Sequence, residues 1–95
     1  MREIRWAPSA QGDINRIARH YRGIDSALAI DLAERIVQAT NILSGLPYAR
    51  QATTRANRRR WHVPRTEYVL FYRVEKDHIR IPRVVHGAQL LAGKL

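Results

Sequence analysis

Residues 58–89, RRRWHVPRTEYVLFYRVEKDHIRIPRVVHGAQ, leave this chain few folds to choose from. Tyr68 through Val74 are β-branched, aromatic or aliphatic at every position but one, the composition of a strand covered on at least one side. The polar Glu75-Lys76-Asp77 is short enough for a tight turn, and Ile79-Arg80-Ile81 resumes the alternation beyond it, which makes a hairpin. Residues 58–63 form a preceding strand that returns through Pro64-Arg65-Thr66-Glu67. Three consecutive strands are a meander, and the rest of the chain has to cover its apolar side.

What comes before is patterned to do that. Residues 2–6 alternate, with Ile4 and Trp6 on one face of a short strand. Pro8 stands where a first helical turn tolerates it. Ala10, Ile14, Ile17, Ala18 and Tyr21 then recur at helical spacing, with Arg16, Arg19 and Arg22 outside the stripe. Gly12 weakens the first turn by about 1 kcal/mol relative to alanine, and Gly23 is expected to end the helix in the left-handed conformation. Asp25 or Ser26 can cap a second helix. Its stripe is Ala29, Leu32, Ala33, Ile36, Val37, Thr40 and Leu43, and Gly45 and Pro47 stop it. The short joint makes the two helices an antiparallel hairpin. The expected fold is α+β and two-layered: an N-terminal strand, a helix hairpin and a three-stranded antiparallel meander, about four strands in all. Residues 48–56 carry no periodicity and read as a mobile loop. Pro82 lacks a ladder donor, so the last strand should lie at the edge there or break.

With 95 residues the chain is one domain, 1–95, with a single core. It has no cysteine, hence neither disulfides nor thiolate metal sites, which fits a cytoplasmic setting. The N-terminus reads directly into a charged strand, not a signal peptide, and no apolar run is long enough to span a bilayer. Charge is the abnormal quantity. Seventeen Lys and Arg against eight Asp and Glu leave +9, a surplus that attracts polyanions or an acidic protein. Compositional bias toward arginine accounts for part of it, but not for the cluster Arg55, Arg58, Arg59, Arg60 and Arg65. Arg58, Arg60 and His62 should face outward with Trp61 and Val63 inward, Arg59 snorkelling at the strand's start. His20, His62 and His78 lack ligand spacing, so neither metal nor cofactor is expected.

Trp6, Ala10, Asp13 and Tyr21, then Ala33, Ile36 and Leu43, Leu46-Pro47, the Tyr68–Val74 strand, and Arg83-Val84-Val85-His86-Gly87-Ala88-Gln89 together resemble the RelE/ParE superfamily of toxins from type II toxin–antitoxin pairs. The resemblance spans nearly the whole chain, and its last two blocks are the most specific. It implies a toxin neutralised by a cognate antitoxin, acidic and encoded adjacently, in a hetero-oligomer.

The superfamily holds two mechanisms. RelE-like members cleave mRNA on the ribosome, which needs a base, an acid and a phosphate-binding cation around one bond. They are expected to place an arginine where this chain has Val69, and a further arginine or tyrosine where it has Gly87 and Ala88. ParE-like members poison DNA gyrase without catalysing a reaction, and the chain resembles them at His86-Gly87-Ala88-Gln89. The departures favour the ParE-like branch, with no catalytic residue. The alternative is a ribosome-dependent endoribonuclease using His86, Arg83, Arg65 and Arg73. For target binding the residues singled out are Arg58, Arg60, Arg65, His86, Gln89, Leu90 and Leu91, the two leucines because they follow the last strand with no obvious slot in the core.

Overall fold

The computed structural model describes residues 2–45, 51–52 and 58–91. Strand β1 (Glu3–Trp6) leads into helices α1 (Pro8–Arg22) and α2 (Ser26–Gly45). Strands β2 (Gln51–Ala52), β3 (Arg59–His62), β4 (Tyr68–Val74) and β5 (His78–His86) follow, and helix α3 (Gly87–Leu91) closes the order. The sheet order is β1-β5-β4-β3-β2, antiparallel except for β1 beside β5. The four expected strands and the helix hairpin form the two-layer α+β fold. The two-residue β2 is an addition, falling in the stretch expected to be an unpatterned loop. The rest of that stretch, with Arg55 and the helix-stopping Pro47, lies outside the described residues.

Period-2 alternation selects the buried face. Leu70, Tyr72, Val74, Ile79, Ile81 and Val84 point toward the helices and meet Ala10, Leu32, Ile36, Ala39 and Leu43 in one core. Full burial of a side chain such as Leu70 contributes about 1.5–3 kcal/mol. Trp6, Trp61 and Tyr21 pack against this core while partly exposed. Alanines at the helix contacts let α1 and α2 approach closely.

The joint between the helices departs from expectation at Gly23, whose φ of −69° and ψ of −19° are right-handed. The chain needs no left-handed cap there, because the amides of Ile24 and Asp25 both donate to the Tyr21 carbonyl. Asp25 is the cap of α2, its Oδ1 accepting from the Ala27 amide at 2.9 Å.

β5 is not broken at Pro82, but the expected edge is there locally: β5 lies between β1 and β4 only as far as Ile81, and past it one flank is open. From Phe71↔Arg83 to Arg73↔Arg80 the chain advances two residues on β4 and three on β5, a bulge that contains Pro82. On the other side β1 stops at Trp6, opposite Ile81. Beyond that point side chains of α1 replace a strand partner. The Ser9 hydroxyl donates to the Pro82 carbonyl at 2.7 Å, and the Val84 amide donates to the Asp13 carboxylate at 2.9 Å.

Candidate functional site

The proline bulge brings Asp13, from the inward side of α1, to the open flank of β5. There Asp13 is 2% exposed. Besides the Val84 amide it accepts two hydrogen bonds from Arg83, from Nε at 2.7 Å and Nη2 at 3.2 Å, and one from Arg16. The bond to Asp13 raises the Arg83 pKa further above its ordinary value. Arg83 is therefore engaged in a structural ion pair.

At the end of β5 both ring nitrogens of His86 are engaged. Nε2 lies 2.7 Å from Glu67, and Nδ1 accepts from the Ala88 amide at 3.0 Å, so the proton sits on Nε2 and is donated to the carboxylate. Gln89 Oε1 accepts from the His86 amide at 3.1 Å, and the Gly87 amide donates to the Glu67 carbonyl at 2.8 Å. These bonds fold the start of α3 back against the β3–β4 turn. Tyr68 stands edge-on to His86 and to Tyr21. Burial first, then its hydrogen bond with Tyr21, raises the Tyr68 phenol pKa and keeps it protonated. Asp13, Arg16, Tyr68, His86 and Gln89 border a hollow of about 310 Å³.

Of the remaining residues of the alternative catalytic set, Arg73 lies elsewhere. Arg73 sits opposite Arg80, near the far end of β4 from the Tyr68↔His86 pair. Five residues of strand separate the two positions, roughly 17 Å. Arg65 is in the β3–β4 turn. Val69, where a nuclease of this superfamily would place an arginine, is buried on the second face of the sheet with Phe71 and Val85. Leu90 packs against that cluster, which gives the first of the two leucines its slot. The side chain of Leu91 lies outside the described residues. Arg58 places its guanidinium 4.1 Å from the Phe71 ring centroid, so it is half-buried instead of projecting outward, whereas Arg60 and His62 are exposed. Among the described residues no cluster of His, Asp and Glu could hold a metal.

Arg65 has φ of 59°, the one non-glycine residue in the left-handed region among those described. It follows Pro64 in a turn closed by the Thr66 amide donating to the Val63 carbonyl at 3.2 Å. Glycine or asparagine normally fills such a place. Left-handed strain for an L-residue is roughly 1–2 kcal/mol, and the extra freedom of unfolded glycine offsets part of it. Arg65→Gly is therefore expected to stabilise the fold by about 0.5–1 kcal/mol in urea melts. No gain would mean the turn already tolerates arginine.

Asp13 and Glu67 are the functional-site residues that sequence reasoning did not assign. Asp13 carried a signal: a carboxylate three residues after Ala10 and four before Ile17, on the apolar side of α1. Glu67 carried none, being a polar residue in a polar turn.

The same layered arrangement occurs in chains of solved toxin–antitoxin complexes. One in the chromosomal ParDE system from P. aeruginosa superposes with a TM-score of 0.80 at 21% identity, over 90% of this chain and 96% of that one. One in the E. coli DinJ-YafQ complex gives 0.64 at 13% identity, over 94% and 96%. At these identities the likeness is one of fold. No curated protein sequence matches the chain. Residues 4–91 match the family described as the ParE toxin of the type II toxin-antitoxin system, parDE, and the chain belongs to that family.

Proposed function

We propose that this single-domain toxin inhibits DNA gyrase by binding it, carries out no catalysis, and acts in the cytoplasm until an acidic cognate antitoxin neutralises it. The observation that carries the non-catalytic part is the engagement of the nuclease candidates. Both His86 nitrogens are committed, Arg83 is held by Asp13, and Arg73 is on another part of the sheet. General acid–base chemistry requires a group within reach of the scissile bond and free to exchange its proton. No helix among the described residues is long and apolar enough to cross a membrane. Arg60, Arg65 and the α3 segment are assigned to target contact.

The antitoxin is assigned to the groove where the helix hairpin meets the end of β1. Trp6, Ile14, Ala33, Ile36 and Val37 line a groove of about 350 Å³ between α1 and α2. Val37 and Ile30, one helical turn after and one before Ala33 on that side, are 52% and 61% exposed, although Val37 reads as core in the sequence. Arg19 and Arg22 continue the α1 wall at helical spacing from Asn15, so an apolar centre with a basic rim faces an acidic partner.

Two assays on one induced culture test the reading. The purified chain should inhibit gyrase supercoiling, and mRNA on translating ribosomes should remain intact. Codon-phased mRNA breaks that vanish in His86→Ala, with supercoiling unaffected, would establish the ribosome-dependent nuclease instead.

A further inference from the structure

We infer that the sheet face turned away from α1 and α2 docks on the phosphate backbone of duplex DNA, with Arg5, Arg80 and Arg73 as its contact row. The register aligns these three residues: Arg5 is opposite Arg80 across β1 and β5, and Arg80 is opposite Arg73 across β5 and β4. All three are exposed. With strands about 4.8 Å apart the row spans roughly 10 Å. Arg60 extends the basic surface one step away, in the row Arg60↔Phe71↔Arg83.

Like charges directly opposite one another in a sheet are destabilising. For Arg73 and Arg80, which face each other across β4 and β5, no ion pair among the described residues compensates. The acidic groups nearby are Glu3, which pairs with Arg5 at 3.1 Å, and Asp77, bonded to His78 at 2.7 Å. An external polyanion would relieve the repulsion.

The surroundings of the row select the polyanion. A protein partner needs an apolar anchor at the centre of its interface. Here the apolar side chains of this face, Val69, Phe71 and Val85, are buried, with Leu90 packed against them and Arg58 over the Phe71 ring. The same burial keeps the Phe71 ring from stacking on an unpaired base. Guanidinium groups remain, and they suit phosphate oxygens. Each strand of duplex DNA carries one charge per about 3.4 Å of axis, so a row of roughly 10 Å lies alongside about three phosphates of one strand. Backbone contacts carry no sequence information, so no recognition helix is needed. The inference rests on the gyrase reading only for its setting, a target that itself holds duplex DNA.

The experiment compares two charge-matched double variants of the purified chain, Arg73→Gln with Arg80→Gln, and Arg19→Gln with Arg22→Gln on α1. Binding to a short mixed-sequence duplex is followed by fluorescence anisotropy across a salt series. The row variant should bind about tenfold more weakly at moderate salt, and its slope of log K against log salt should fall by about two. The α1 variant should change less than about threefold. All substituted residues are exposed, and melting curves verify that both variants fold. Equal losses in the two variants, or a parent chain without salt-dependent binding, would overturn the inference. Gyrase inhibition is measured separately: a chain that binds DNA through the row yet leaves supercoiling untouched would overturn the gyrase reading and leave this inference standing.

Discussion

Asp13→Ala is expected to destabilise the fold by about 3–5 kcal/mol, the cost of removing one partner from a buried ionic network. Typical domains have only about 5–15 kcal/mol of stability, so a loss of this size removes a large part of it. Four hydrogen bonds end on this carboxylate. Its loss strands the Val84 amide on a flank of β5 that no strand covers, and an unmade buried bond costs about 1–3 kcal/mol. It also leaves Arg83 half-buried with its ion pair gone. Asp13→Asn retains an acceptor oxygen and the shape of the side chain while losing the charge, so its loss should be intermediate. Combined with Arg83→Ala, the alanine variant should cost less than the sum of the two single losses, because both act on the same pair. Urea melts of the parent and the four variants measure this. A loss below about 1 kcal/mol for Asp13→Ala would mean that water enters and takes over the acceptor role.

The meander and the helix hairpin were legible because their periodicities are strong and local. Tyr68–Val74 has no helical alternative, and the Gly23–Asp25 joint is too short for anything but antiparallel helices. What escaped depends on distant partners or on segments too short to show a period. Pro82 announced an edge or a break, but the way β5 runs on through it depends on Ser9 and Asp13, some seventy positions earlier. α3 has five residues, too few for an amphipathic stripe, and is set by His86, Gln89 and the Glu67 carbonyl. Of the candidate site, the arginines were found and their fates were not. Arg58, Arg60, Arg73 and Arg83 are alike in sequence. One covers Phe71, one closes a buried ion pair, and Arg60 and Arg73 stay exposed. Strand parity separates faces, but only the register reveals that Arg5, Arg80 and Arg73 stand in a single row.

Induction of this chain alone should arrest growth, and co-expression of its antitoxin should both restore growth and raise the melting temperature of the toxin. A partner that binds only the folded state stabilises by about 4 kcal/mol when present at a thousand times its dissociation constant. For a domain of this size that corresponds to a rise of roughly 15–30 °C. Ile30→Glu with Val37→Glu localises the effect. Both side chains project into solvent in the free toxin, at 61% and 52% exposure, so each substitution should leave its stability within about 0.5 kcal/mol. Seating an antitoxin on the groove would bury both carboxylates against apolar surface, at a cost of several kcal/mol. The double variant should therefore stay folded and toxic, lose the antitoxin-induced rise in melting temperature, and continue to arrest growth when the antitoxin is supplied. Scanning calorimetry with and without antitoxin, and colony counts on inducing medium, measure the two halves. A double variant that the antitoxin still rescues would show that the antitoxin sits elsewhere. Raising salt should weaken the complex only in part, because screening acts on the exposed rim arginines Arg19 and Arg22 and leaves burial of the apolar centre intact.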